Sequence, residues 1–215
     1  MKLQENRYGA KSKVGGMRDQ VRQRWVLASH NLHKADELRQ MLGPCNVELT
    51  TLAQLQILEV PDETGSSFRE NALIKAQAAY EASKLPALAD DSGLEVEALQ
   101  GLPGVHSARF AGPKATDEEN VQLLLKRLTN QVNRRARFVC VLCFWNGKEA
   151  TYWEGRVEGK ILEIPRGNHG FGYDPVFEAQ EIPGHSLAEI APAMKNEISH
   201  RAAAVRSMLA SLPAI

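Results

Sequence analysis

The sequence predicts an α/β protein built on a mixed β-sheet. Short apolar runs alternate with helical periodicity in the first half, and two long strand-like segments joined by a favoured hairpin turn follow in the second. Early β–α alternation with a later hairpin means a mixed sheet and not an all-parallel one. The 215 residues suit one large domain, or two lobes sharing a core.

Residues 1–24 stand apart. Lys2, Arg7, Lys11, Lys13, Arg18, Arg22 and Arg24 face only Glu5 and Asp19, with almost no large apolar residue. The expectation is a disordered basic extension, with a polyanion-binding arm as the sharper alternative. Residues 25–215 then form the folded part. Trp25–Ser29 reads as a buried strand that Ser29-His30-Asn31 turns into a helix, with Ala35, Leu38 and Leu42 on one face before Gly43-Pro44. Val47–Leu49 is a second strand. Ser67 and Glu70 form a capping box for a helix that buries Phe68, Ala72, Ala76, Ala79 and Tyr80, with Asn71 and Lys75 one turn apart on another face.

Ala87–Ala89 reads as a strand ending in Asp90-Asp91-Ser92-Gly93, and Leu94–Leu99 as a separate one. Thr116 and Glu119 box a helix carrying Val121, Leu124, Leu125 and Leu128. Ala136–Trp145 and Ala150–Ile161 are strands joined through Asn146-Gly147. A last helix starts near Asn196 and buries Ile198, Ala202, Val205, Leu209 and Leu212.

Composition excludes several classes. With 43% hydrophobic and 24% charged residues the chain is neither wholly disordered nor fibrous. Lys+Arg and Asp+Glu are 26 each, so the basic excess of a duplex-DNA binder is missing and stable nucleic-acid binding is not expected. No apolar run approaches the ~20 residues of a membrane span. Cys45, Cys140 and Cys143 cannot all pair within the chain. Cys140 and Cys143 are three apart on a strand, face opposite sides and fit core packing in a reducing cytoplasm.

Four segments carry chemistry. The strand-to-helix turn Ser29-His30-Asn31-Leu32-His33-Lys34 aims free backbone N–H groups and a cation at one spot, which attracts anions. An ordinary helix start capped by Asn31 fits the same spacing. Glu63 in its loop and the adjacent Asp90 and Asp91 suit a Mg²⁺ ion shared with phosphate oxygens, although acidic pairs before glycine are also common turn residues. Glycines and aromatics in Gly170-Phe171-Gly172-Tyr173-Asp174-Pro175 suit a flat ligand such as a nucleobase, or simply a tight turn. Lys195, His200 and Arg201 gather at the opening of a helix, where cations oppose the dipole and call for an external acceptor.

Together these strings resemble the inosine/xanthosine triphosphate pyrophosphatase family. The resemblance rests on Ser29-x-Asn31-x-x-Lys34, Glu63-Thr64-Gly65, Phe68-x-Glu70-Asn71-Ala72 with Lys75, and Ala89-Asp90-Asp91-Ser92-Gly93-Leu94. It continues through Pro103-Gly104-Val105-His106-Ser107-Ala108-Arg109, the 170–175 segment and Ser199-His200-Arg201, in one order. His30 and His33 depart from it, standing where the family often has glycine.

The resemblance implies an elongated mixed sheet split into two lobes around a cleft, a homodimer, and cleavage of a purine nucleoside triphosphate between the α- and β-phosphorus with Mg²⁺. Glu63 and Asp91 would hold the metal, and Asp91 would deprotonate the attacking water. Ser29, His30, Asn31, Leu32, His33, Lys34 and Lys75 would meet the phosphates, and Ser92 the phosphates or sugar. Phe171 would stack on the base in a pocket shaped by Gly172, Tyr173 and Asp174, with Lys195, His200 and Arg201 reading the purine edge. A pyrophosphatase for other modified nucleotides on a related fold and a non-catalytic nucleotide sensor remain as alternatives.

Overall fold

The computed structural model describes residues 23–43, 47–59 and 61–211. In chain order the elements are β1 (Gln23–Leu27), α1 (Leu32–Leu42), β2 (Val47–Thr51), α2 (Phe68–Ser83), β3 (Ala87–Val96) and α3 (Asp117–Arg127). β4 (Arg135–Trp145), β5 (Ala150–Ile161), β6 (Phe177–Ala179), α4 (Pro192–Ile198) and α5 (His200–Ser211) follow. Among the described residues six strands form one sheet in the order β2-β1-β3-β4-β5-β6. β1 is parallel to β2 and β3, and every pairing from β3 to β6 is antiparallel. The sheet is mixed, as expected. β1 begins at Gln23, so that residue and Arg24 belong to the sheet; the rest of the basic arm, with Cys45 and Leu212, lies outside the described residues.

The alternation of β3 explains where a cleft opens. Leu88 points into a cluster with α1 and α5, built on Leu38, Leu142, Val205 and Met208. Leu94 and Val96, on the same face, join a second cluster with α3 and β6 around Leu124, Phe138 and Phe177. Between them that face carries Asp90 and Ser92, so the apolar packing is interrupted there by polar side chains. The opposite face holds Ala87 and Ala89 against Ala72, Ala76 and Ala79 of α2. Cys140 and Cys143 fall in clusters on opposite faces, which matches the core role expected of them.

Two expectations are corrected. The segments 87–89 and 94–99 are not separate strands: β3 runs unbroken, with Asp90, Asp91 and Ser92 in register with Leu142, Val141 and Cys140, and a 3₁₀ turn follows at Glu97–Leu99. Ion pairing keeps the acidic residues inside the ladder.

The last helix is two helices. Ser199 is extended (φ −69°, ψ 158°) and ends α4, and its Oγ accepts the Ala202 N–H at 3.1 Å to start α5. The break resets the helical phase, so Met208 is buried and Leu209 is exposed. It also puts Lys195 in the last turn of α4, where a cation suits the dipole. Only His200 and Arg201 open a helix.

Capping differs in one detail. Thr116 and Glu119 make the full box, but Glu70 reaches past Ser67 to the N–H and Oγ of Ser66, at 2.7 and 2.9 Å. Gly155 allows α5 to lie directly on β5, since a Cβ there would come within 2.2 Å of the His200 carbonyl and the Ala204 nitrogen. That contact fixes the height of His200 and Arg201 above the sheet.

Candidate active site

The polar gap on β3 is filled by Arg201. Its Nε donates to Asp90 Oδ2 at 3.1 Å, its Nη2 to Ser92 Oγ at 3.0 Å, and its Nη1 to Glu37 of α1. Asp90 and Ser92 are two apart on one strand face, so a single guanidinium spans both. Lys34 Nζ stands 2.7 Å from Asp90 Oδ1, and Cys140 Sγ donates to Oδ2 at 3.2 Å. Burial alone would raise the Asp90 carboxyl, yet the Arg201 and Lys34 charges hold it well below the usual carboxylate range. Both oxygens of Asp90 are therefore committed to protein cations.

Asp91 occupies the other face. Lys75 Nζ, from α2, lies 2.6 Å from Asp91 Oδ1 and 2.9 Å from Glu63 Oε1. Arg109 closes the set, with Nη1 on Glu63 Oε2 at 3.1 Å and Nη2 on the Glu63 carbonyl at 3.3 Å. Burial raises the Asp91 carboxyl and outweighs the Lys75 charge. Glu63 also feels burial, but Lys75 and Arg109 bring it below its ordinary value. Lys75 itself is raised, because Asp91 and Glu63 outweigh its desolvation.

Asp91 Oδ2 is buried and has no hydrogen-bond partner. An unpaired carboxylate oxygen beside a second carboxylate is a hard-oxygen donor set that fits Mg²⁺. Among the described residues no group of three or more His, Cys, Asp or Glu gathers as a metal cage. Phosphate oxygens and water would complete the octahedron, which is how this ion is usually held.

A cleft of about 360 Å³ brings Ser29, His30, Asn31, Lys34, Glu63 and Lys75 together with Asp90. Asn31 caps α1, its Oδ1 accepting the Lys34 N–H at 3.2 Å, as in an ordinary helix start, and Lys34 itself faces the cleft. His30 Nε2 is 3.3 Å from the Ile57 carbonyl across the cleft. Leu32 is 70% exposed, and neither it, His33 nor Asp91 lines either cavity.

A slot of about 110 Å³ adjoins the cleft at Asn31 and Lys34 and collects Ser92, Phe171, Gly172, Tyr173, Asp174, Lys195, His200 and Arg201. Asp174 organises its loop: Oδ2 accepts the Phe171 N–H at 2.9 Å and the Lys195 ammonium at 2.7 Å. Gly170 has φ +76°, and a Cβ there would fall 2.1 Å from that same oxygen. The Tyr173 hydroxyl donates to the Ser107 carbonyl at 2.8 Å, and the Gly172 N–H donates to Asp117 Oδ2 at 2.6 Å. His200 stacks on Phe138 with centroids 4.8 Å apart, leaving Nδ1 buried without a partner. Burial, together with the Arg201 and Lys195 charges, drives its pKa well below the usual imidazole value, so the ring is neutral.

Sequence reasoning missed Glu37, Arg109 and Asp117 as site residues. Glu37 binds both Lys195, at 3.0 Å, and Arg201, yet a glutamate on a helix reads as solvated surface. Arg109 stands in the 103–109 string, but its partner Glu63 is 46 residues away and leaves no local signal. Asp117 reads as a first-turn dipole residue; its contact with Gly172 spans 55 residues and leaves no local signal.

Comparison with known proteins gives the family. A "dITP/XTP pyrophosphatase" from Methylococcus capsulatus is 48% identical over 202 residues, covering 91% of this chain and 98% of that protein. A protein of the same description from Cutibacterium acnes is 46% identical over 198 residues, covering 89% and 97%. The structure of the Staphylococcus aureus Ham1 protein superposes with a TM-score of 0.78 at 38% identity, covering 87% of this chain and 97% of that one. The family model described as the Ham1 family matches residues 25–211, from β1 to the end of α5, and the chain belongs to that family.

Proposed function

We propose that this chain hydrolyses the deaminated purine nucleoside triphosphates ITP, dITP and XTP to the monophosphate and pyrophosphate, with Mg²⁺. The observation that carries the reading is Lys75: its ammonium binds both Glu63 and Asp91, and with Glu63 and Lys34 it lines a cleft next to a slot containing Phe171. The names of the relatives support the substrate class.

Each residue has a physical task. The triphosphate lies along Ser29–Lys34, where the start of α1, Lys34 and Lys75 offset its charge. Glu63 and Asp91 would hold Mg²⁺, directly or through water, and the ion would neutralise phosphate charge and make water a better nucleophile. Asp91 takes the proton from the attacking water, the role of a general base. Ser92 meets the phosphates or the sugar. Phe171 stacks on the base, and Gly172, Tyr173 and Asp174 shape the pocket around it.

Lys195, His200 and Arg201 read the purine edge. Hypoxanthine and xanthine present an O6 acceptor to these donors, whereas adenine presents an amino donor that finds no mate. Such mismatches are rejected by ~10⁴–10⁵ in sites built to hydrogen-bond their substrate. The protein acts in the cytoplasm as a homodimer. Buried free thiols at Cys140 and Cys143 support the compartment, and among the described residues no helix is long and apolar enough to cross a membrane.

Pyrophosphate release measured across ITP, dITP, XTP, GTP and ATP, with and without Mg²⁺, tests the reading. Rapid turnover of the first three, dependent on the metal, is expected. ATP turned over as fast as ITP would remove the base assignment. Preference for a pyrimidine or methylated nucleotide would favour the related-fold alternative, and binding without turnover the sensor.

A further inference from the structure

The imidazole of His33, in the first turn of α1, stacks on the Phe171 ring with centroids 5.3 Å apart and planes 16° from parallel. Lys195 Nζ stands 4.4 Å from the centroid of the same ring. Two near-parallel rings at this spacing leave no layer free between them, because each stacked layer needs about 3.5 Å of its own. A purine that uses the His33 side of Phe171 must therefore move the imidazole first.

The two partners are not equally movable. The Phe171 N–H is bonded to Asp174, which is buried and held in turn by Lys195. His33 is exposed. It also sits between Asn31 and Lys34, the groups that start the phosphate-side turn, so it joins α1 directly to the loop of the slot.

We propose that His33 is an affinity-setting cover on Phe171. The imidazole occupies the ring face while no nucleotide is bound, and the base takes that face by displacing it. The inference rests on the purine-slot reading above. Apparent affinity is then reduced by the fraction of molecules whose ring is covered. An aromatic pair of this kind is worth about two- to tenfold in an equilibrium constant. The reduction is equal for every base, since the cover leaves before the base edge is read. A base-reading contact would discriminate among purines, and a phosphate contact would not involve the ring at all.

The test uses the full chain and non-hydrolysable α,β-methylene analogues of ITP and ATP. His33→Ala should lower both dissociation constants by the same factor, about two- to tenfold. His33→Phe keeps a ring on Phe171 and should leave both at or above the wild-type values. Proton NMR gives the second readout. The His33 ring resonances should be displaced by the Phe171 ring current in the free protein, return toward ordinary values with inosine, and stay displaced with inorganic pyrophosphate.

Weaker or unchanged binding in His33→Ala overturns the cover, as does a change that differs between the two bases. Release of the imidazole by pyrophosphate and not by inosine overturns it too. Phe171→Ala separates the underlying reading: if that variant binds nucleotide as tightly as wild type, the purine slot itself fails. If Phe171→Ala binds weakly while His33→Ala is unaltered, only the cover fails.

Discussion

Asp90 and Asp91 are consecutive on β3, stand on opposite faces of the sheet, and have acidities driven in opposite directions. Asp90 is buried, but Arg201 and Lys34 hold it ionised. For Asp91 burial prevails over Lys75. The period of two in a strand thus gives two adjacent carboxylates separate tasks. Asp90 anchors cations between the apolar clusters, and Asp91 keeps one buried carboxylate oxygen without a partner.

Glu37 tests whether those anchors are energetically coupled. It is shared by Lys195 and Arg201, both buried, and its own side chain is 13% exposed. Glu37→Gln keeps the shape and removes the charge. A loss of about 3 kcal/mol in urea unfolding is expected, the scale for breaking a buried ion pair. A loss below about 1 kcal/mol, the scale of an exposed pair, would mean that Asp174 and Asp90 suffice for the two cations.

His200 sets a pH dependence of stability. Its folded pKa lies well below the ordinary 6.5, so below that pH the unfolded chain binds the extra proton and the folded one does not. This contribution to stability is whole above pH 6.5 and falls as the pH drops toward the folded value. Burial-raised carboxyls at Asp91 and Asp174 act with the opposite sign, and they remain in a His200→Phe variant. The wild-type Tm should therefore fall more steeply than that of His200→Phe between pH 7 and 5. Parallel Tm profiles would place the imidazole in contact with water.

Metal removal separates activity from folding. Lys75 and Arg109 together offset the charges of Glu63 and Asp91, so the fold is expected to stand without a bound ion. Treatment with EDTA should abolish pyrophosphate release from ITP, leave the circular-dichroism melt unchanged, and be reversed by Mg²⁺. A melting transition that drops by several degrees would instead indicate a structural ion.

Much of the fold is legible in the sequence because its signals are local. Asn146-Gly147 marks the β4–β5 connection, Thr116 and Glu119 the start of α3, a continuous apolar run β4 and alternation β5. β3 was obscured because Asp90, Asp91 and Ser92 look like a strand's end until Arg201 and Lys75 arrive from α5 and α2. The break at Ser199 was hidden by helix formers on both sides. Within the site, Lys34, Lys75, Asp91 and Phe171 stand in recognisable strings, whereas Glu37 acts only through partners more than 150 residues away.

The most direct test is the Asp91→Asn variant assayed for pyrophosphate release from ITP beside equilibrium binding of α,β-methylene ITP. Removing a general base costs about 10²–10⁴ in rate. The account predicts a fall of at least that size in turnover, with the analogue bound about as tightly as by wild type. A near-normal rate with Asn at this position would contradict it and take Asp91 out of the reaction.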